Sequence, residues 1–275
     1  MLLKLLIAAL LIYAAILATF FFAQTALIFP ARMVQGAGPL PPGAGRLTLE
    51  TPDGNRLHGV HIPASLRRGE GRPVILGFPG NAWNAEDNAL FLHSLFPDED
   101  VVVFHYRGYQ PSTGKPGAAA LLADAPLVHD LVSKRFGGRP VVAAGFSIGA
   151  GVAGHLASVR QIGGAILVTP FDSLDAVGRG HYPWLPVSLF LRHRMNPAKD
   201  LGGSRVPIAI LVAGRDTLIP PQRAEALARA VANLVFERTL GRAGHNDIYQ
   251  DPAFQPAMYE ALAALLKAGA PAPQK

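Results

Sequence analysis

A mostly parallel eight-stranded α/β sheet, flanked by helices, carrying a lid-like insertion and preceded by a transmembrane helix, is the fold class that the sequence predicts. Three observations carry that expectation. Leu5 to Phe29 is an apolar stretch broken only by Thr19, Gln24 and Thr25. Short, continuously apolar runs follow, such as Val74-Ile75-Leu76 and Val101-Val102-Val103-Phe104, of the kind buried on both faces of a parallel sheet. These runs alternate with helix-length segments, which is the pattern of a parallel α/β architecture.

Composition sets the outer limits. The 275 residues are 50% hydrophobic and 16% charged, enough for a sizeable core and incompatible with disorder or a collagen-like repeat. No cysteine is present, so a disulfide framework, a Cys-bound zinc and a thiol nucleophile are excluded. Lys and Arg number 25 against 19 Asp and Glu, a net charge of +6. The basic residues are scattered, with Arg67-Arg68 the densest short run. A nucleic-acid interface gathers its cations on one stripe, so no nucleic-acid partner is expected; a mild attraction to anionic lipid fits the excess.

The first element, residues 1–30, reads as a membrane anchor. At 1.5 Å per residue the apolar stretch spans a hydrocarbon core of about 30 Å. The rival is a cleaved signal peptide, whose apolar region is usually about 7–15 residues long and ends at a small-x-small site. This run is longer and no A-x-A site follows it, which favours an uncleaved signal anchor with Phe20-Phe21-Phe22 in lipid. Lys4 flanks one side and Arg32 and Arg46 the other. Charge counting is therefore nearly balanced; a short tail bearing Lys4 leans towards placing the large domain outside the cytoplasm. Residues 31–45, with Gly36, Gly38, Pro39, Pro41, Pro42, Gly43 and Gly45, read as a linker.

Residues 46–275 form the remaining domain. Strands are expected at 46–50, 56–62, 73–78, 100–106, 140–145, 164–169, 207–213 and 234–240. The first two alternate apolar and polar residues around Pro52-Asp53-Gly54-Asn55, a hairpin with turn chemistry. Helices are expected at about 84–95, 117–136, 148–160, 221–232 and 253–268. Residues 171–205 are too long for a simple crossover. They read as an insertion of short helices over the carboxyl ends of the strands, either a lid shaping an acyl pocket or an ordinary surface subdomain.

The strongest chemical signal is Gly145-Phe146-Ser147-Ile148-Gly149 between a strand and a small-residue helix. In such a G-x-S-x-G turn the hydroxyl is exposed on a strained backbone at a helix N-terminus. The flanking glycines are needed because side chains there collide with the neighbouring strand and helix. Ser147 is the candidate nucleophile, and a serine needs a base. His245, in Gly244-His245-Asn246-Asp247 after the last strand, sits where a loop reaches the carboxyl edge of the sheet. The base needs an acid. Asp216, at the end of the strand 207–213, is the first candidate and Asp172 its rival; Asp247 is too close to His245 in sequence. The order Ser, Asp, His is that of strand-end triads on such sheets. Oxyanion donors are expected from the N–H of Ile148 and from the loop Pro79-Gly80-Asn81-Ala82, where Gly80 allows close approach and Asn81, with Ala82 second, presents its N–H. Arg107 either ties its loop together or meets a substrate anion, with the structural role favoured.

Residues from about 46 to 268 resemble an α/β-hydrolase, and within that superfamily the membrane-associated BEM46-like, ABHD-type serine hydrolases. Phe78-Pro79-Gly80-Asn81-Ala82 matches their H-G-N-A stretch except for Pro79 in the histidine place. The run His105-Tyr106-Arg107-Gly108-Tyr109-Gln110-Pro111-Ser112-Thr113-Gly114-Lys115-Pro116 matches most of D-Y-R-G-Y-G-x-S-x-G-x-P, with Gln110 departing. The family's G-x-S-x-G, G-x-D and G-H-N-D fall on Ser147, Asp216 and His245. The resemblance implies the α/β-hydrolase fold, hydrolysis of carboxylic esters or thioesters including lipid acyl groups, and no metal or organic cofactor. A serine peptidase and a catalytically silent binding module are the alternatives on the same fold.

Overall fold

The structure, a computed structural model, describes residues 1–34, 36–65 and 71–269; the Arg67-Arg68 run and the last six residues lie outside the described residues. After the 27-residue helix α1 (Leu2–Ile28) come strands β1 (Gly45–Glu50), β2 (Arg56–Ile62), β3 (Val74–Phe78), β4 (Asp100–Phe104), β5 (Val141–Phe146), β6 (Gly164–Val168), β7 (Ile208–Ala213) and β8 (Leu234–Leu240). They form one sheet in the order β1-β2-β4-β3-β5-β6-β7-β8. The β1-β2 and β2-β4 pairings are antiparallel and the other five are parallel. The expected eight-stranded, mostly parallel sheet is thus present. Its middle strands read apolar at every position because both faces are covered. Val74, Leu76, Val102, Ala143, Leu167 and Ile210 point into one core. Their neighbours Ile75, Val101, Val103, Ala144, Ile166 and Leu211 point into the other. Burial of each such Val, Leu or Ile contributes roughly 1.5–3 kcal/mol.

Helices α3 (Ala118–Arg135), α4 (Ile148–Val159) and α8 (Pro221–Ala230) cover the first face. Helices α2 (Ala85–Leu95) and α9 (Phe254–Gly269) cover the second. Asn84 starts α2 by accepting the Glu86 N–H at 2.8 Å, an N-cap at the predicted boundary. Between β6 and β7 the insertion folds as α5 (Leu174–His181), α6 (Val187–Phe190) and α7 (Pro197–Leu201). Its last helix returns to the core through the fully buried Leu201.

Two expectations need adjusting. The strand expected to run to Tyr106 ends at Phe104. Past the Gly59–Phe104 pair, side chains from the following turn take over the β2 ladder: Ser112 Oγ accepts the His58 N–H at 2.9 Å and Thr113 Oγ1 accepts the Arg56 N–H at 2.8 Å. Secondly, α1 does not stand free of the domain. Tyr13, Phe20, Phe21, Gln24 and Thr25 meet the insertion, and Phe29 is buried in the first core. Phe20 packs on Tyr182 and Trp184, and Phe21 on Phe190. Of the three phenylalanines expected in lipid, only Phe22 is strongly exposed. The chain after α1 stays on the surface: Val34 packs against the first core, and Leu40 and Ala44 against the second.

The turn from β5 into α4 is held by contact between backbones. Ser147 has φ 53° and ψ −117°, a positive-φ conformation outside the helical wells that costs a non-glycine residue roughly 1–3 kcal/mol. A Cβ added at Gly145 would lie 2.3 Å from the Gly149 carbonyl oxygen, and one at Gly149 would lie 2.0 Å from that of Phe78. Both glycines are therefore steric requirements. Gly80 is not: its added Cβ would meet Phe146 O at 3.8 Å and the Ser147 Cβ at 4.0 Å, which are ordinary contacts. Close approach does not explain the glycine there, contrary to expectation.

At the opposite end of the sheet, the Asp100 carboxylate accepts from His61 Nε2 and Arg139 Nη1, both at 2.7 Å. The His61 hydrogen bond, followed by Arg139, lowers the Asp100 pKa to about 2.

Gly149→Ala is expected to cost about 2–3 kcal/mol and Gly80→Ala less than about 1 kcal/mol; thermal unfolding of the two variants, compared with wild type, checks the contrast. A carboxyl whose pKa is depressed by folding stabilises the native state above its unfolded pKa of about 3.9, and that contribution is lost as pH falls towards 2. Asp100→Asn should therefore flatten the acid limb of stability between about pH 4 and 2, removing about 1–2 kcal/mol of pH dependence; denaturant midpoints measured across that range test it.

Candidate active site

Strand ends deliver three side chains to one point. Ser147 follows β5 at the turn into α4, its N–H donating to Val168 O at 2.9 Å and its carbonyl accepting from Ala150 N at 2.9 Å. Its Oγ lies 3.0 Å from His245 Nε2. His245 Nδ1 lies 2.6 Å from Asp216 Oδ2. An ionised carboxylate only accepts, so Nδ1 carries the proton and Nε2 is left to accept from the serine hydroxyl. Asp216 Oδ1 is engaged as well, accepting the N–H groups of Leu218 at 2.9 Å and Ile219 at 2.7 Å. The carboxylate is almost wholly buried, 2% exposed, with both oxygens satisfied.

The loops bearing Asp216 and His245 are tied together by backbone. Gly214 N donates to Leu240 O and Arg215 N to Ala243 O. Asp247, set aside as the acid, instead accepts the Gly244 N–H at 2.5 Å through Oδ1 and so shapes the loop that presents His245. Asp172, the rival acid, pairs with Arg223 at 3.1 Å. Three of the remaining histidines pair with carboxylates elsewhere: His61 with Asp100, His129 with Asp130 and His155 with Asp200.

Asn81 and Ile148, the expected oxyanion donors, both border the same cavity as Ser147. The Ile148 N–H is at the first position of α4, where helix N–H groups have no partner within the helix. The Asn81 loop is held from behind by two phenols: Tyr106 OH donates to Pro79 O at 2.8 Å and Tyr109 OH to Asn81 O at 2.9 Å. Burial pushes both phenol pKa values up, strongly so for Tyr106, which keeps these donors protonated. An aromatic cluster braces the assembly from the α2 side. Trp83 of the Asn81 loop meets Phe146 of the elbow at 5.3 Å and Tyr249 of the His245 loop at 5.2 Å between ring centres. Arg107 donates to Asp124 through Nε at 3.0 Å and Nη2, and to Asp53 through Nη1. It ties the hairpin turn and α3 to its own loop, the structural of its two expected roles.

The cavity beside Ser147 has a volume of about 420 Å³. Its walls are mainly apolar, with Phe171, Leu174, Val177 and Ile219 on the domain side. His181 of α5 bonds Leu218 O at 2.7 Å, joining the insertion to the Asp216 loop. Sequence reasoning did not foresee that α1 closes the other side through Leu17, Phe20, Phe21, Gln24 and Ile28. The available signal was Gln24 itself, a polar residue within an apolar helix. Among the described residues no group of three or more His, Asp and Glu side chains could hold a metal ion.

No protein-family model matches the chain. An uncharacterized protein of Mycobacterium tuberculosis is 34% identical over 222 residues, covering 77% of this chain and 78% of the relative. The zebrafish protein named lysophosphatidylserine lipase ABHD12 is 27% identical over 214 residues, covering 66% of this chain and 55% of its own length. Among solved structures, the Pyrococcus furiosus esterase Pf2001 superposes with a TM-score of 0.67 at 18% identity, covering 84% of this chain and 96% of that one, a likeness of fold. With the eight-stranded sheet, its crossovers and these relatives together, the chain belongs to the α/β-hydrolase superfamily, among its ABHD-type members.

Proposed function

We propose that this protein is a membrane-anchored serine hydrolase that cleaves carboxylic esters of lipid-like acyl groups through an acyl-enzyme. The observation that carries the reading is the continuous hydrogen-bonded chain Ser147 Oγ, His245, Asp216, with distances of 3.0 and 2.6 Å. His245 Nε2 takes the hydroxyl proton as Ser147 Oγ bonds to the acyl carbon, and the carbonyl electron pair moves to oxygen. Asp216, held by the Leu218 and Ile219 N–H groups, stabilises the imidazolium and fixes its orientation. The N–H groups of Ile148 and Asn81 receive the oxyanion. Collapse of the tetrahedral adduct expels the alcohol, which takes its proton from His245. Water then repeats the attack on the acyl-enzyme, and the acid leaves.

The largely apolar cavity beside Ser147 supports an acyl chain as the part of the substrate it holds, since few polar groups are there to recognise anything else. The lipase name carried by the zebrafish relative supports a lipid ester. Residues 1–30 act as the anchor, 31–45 join it to the domain, and 46–275 form the hydrolase domain. The helix Leu2–Ile28 is long and apolar enough to cross a bilayer. Its last turns are used by the folded domain, through Gln24, Thr25 and the buried Phe29, which favours an uncleaved segment over a signal peptide.

Ser147→Ala should lower kcat on an activated ester by about 10⁴-fold or more, and Asp216→Asn by about 10³–10⁴-fold, while Asp172→Asn stays within about threefold of wild type. Steady-state hydrolysis together with fluorophosphonate labelling checks this. Undiminished turnover by Ser147→Ala, or a folded wild type that takes no label, rejects the mechanism. Protein extracted from membranes should also retain Met1–Phe29 by intact mass; a mature chain beginning after residue 30 would rule out the anchor.

A further inference from the structure

The hydrolytic mechanism has no use for Gln24 and Thr25, yet both are placed with care. Gln24 is 8% exposed. Its Nε2 donates to Phe21 O at 2.8 Å and to Phe190 O at 3.3 Å, and its Oε1 accepts the Arg192 N–H at 2.8 Å. Thr25 Oγ1 lies 2.8 Å from His193 Nε2, while His193 Nδ1 accepts the Ala118 N–H at 3.4 Å. The imidazole therefore donates from Nε2 to the threonine and links α1, the insertion and the start of α3. One turn further on, Asn81 Nδ2 donates to Ile28 O at 3.4 Å. At the other end of the seam, Tyr13 OH donates to Trp184 O at 3.0 Å. Residues 13, 17, 20, 21, 24 and 28 recur at the spacing of one helix face. An anchor needs no such seam; lipid contact alone disfavours a buried amide.

Within the seam, Leu17, Phe20, Phe21 and Ile28 face the cavity that also holds Ser147. We propose that α1 is a wall of the acyl site and that the face bearing Leu17, Phe20 and Phe21 sets the length of chain the protein prefers. This rests on the ester-hydrolase reading above. Ile28 is joined to the Asn81 loop at the reacting end, and Leu17 lies eleven residues back along the helix. That is a rise of about 16 Å, room for a long unbranched acyl chain laid along α1. Each methylene buried against that wall favours the longer ester by about fourfold. The opposite face of α1 is open, with Phe22 75% exposed, so the wall is one helix thick.

The test compares p-nitrophenyl butyrate with the dodecanoate, using the full chain in detergent micelles. Leu17→Trp, which fills the distal end, is expected to lower the dodecanoate-to-butyrate ratio of kcat/KM by tenfold or more. Phe22→Trp, on the open face, keeps the wild-type ratio; equal ratios in the two variants overturn the wall. Should Leu17→Trp not fold, Leu17→Ala serves in its place and moves the optimum to a longer chain, and an unmoved optimum counts against the inference. A binding measurement separates this claim from the hydrolytic one. Hexadecanoic acid carrying a terminal diazirine, photolysed with the Ser147→Ala protein, should label Leu17, Phe20 or Phe21 and be displaced by excess unlabelled acid. Labelling that is not displaced, or that falls equally on Phe22, sinks the wall. Displaceable labelling of that face, with a wild type inactive on both the butyrate and the dodecanoate, would instead uphold the wall and remove the ester-hydrolase reading.

Discussion

The start of α4 runs against the carboxyl end of β3 with no room between the backbones, and the geometry around Ser147 follows from that contact. The missing Cβ of Gly149 would have lain 2.0 Å from Phe78 O. Because the helix begins there, the residue before it must turn sharply, and Ser147 takes a positive-φ conformation that few side chains tolerate. The same approach brings the Pro79-Gly80-Asn81 loop beside the first N–H of the helix. Tight packing, rather than any strong single interaction, thus sets where a hydroxyl and its neighbouring donors stand. Strain of roughly 1–3 kcal/mol at one residue is small against two cores whose central members are fully buried.

Around that fixed point the polar groups that carry the arrangement are held from several sides. The Asp216 carboxylate is met by two backbone N–H groups and an imidazole. Asp247 holds the turn that carries His245, and two buried phenols hold the carbonyls of the Asn81 loop. Trp83 of the Asn81 loop, Phe146 at the end of β5 and Tyr249 shortly after His245 touch edge to face or tilted. Preorganisation of this kind removes the reorganisation that water would otherwise undergo as charge develops.

Much of this was legible in the chain. Continuous apolar runs gave the strands β3 to β7 to within a residue or two, because a strand covered on both faces leaves few polar positions to blur its ends. Ser147, Asp216 and His245 could be singled out since each follows a strand and lies near glycine, and the structure brings the three together. Other features were not local. The end of β4 at Phe104 depends on Ser112 and Thr113 reaching back to β2, a side-chain substitution for ladder bonds that hydrophobic pattern does not encode. Arg107 meets Asp53 and Asp124 from distant segments. The docking of α1 was hidden for a similar reason: an apolar helix reads alike whether it faces lipid or protein, and Thr19, Gln24 and Thr25 were the few polar breaks in its apolar stretch.

The segment after α1 crosses from one side of the sheet to the other, with Val34 against one core and Leu40 and Ala44 against its counterpart. Together with Phe29 it grips the domain instead of trailing from it. On the anchored reading, the hydrolase domain is then no tethered float: with the half of α1 from Tyr13 to Ile28 lying on it, its depth and tilt at the bilayer are built in, and Ser147 samples a thin, fixed slab of the lipid environment. Selection among lipids would begin with depth, before any headgroup is inspected, and lateral diffusion within the leaflet would bring molecules to a reader that itself stays level.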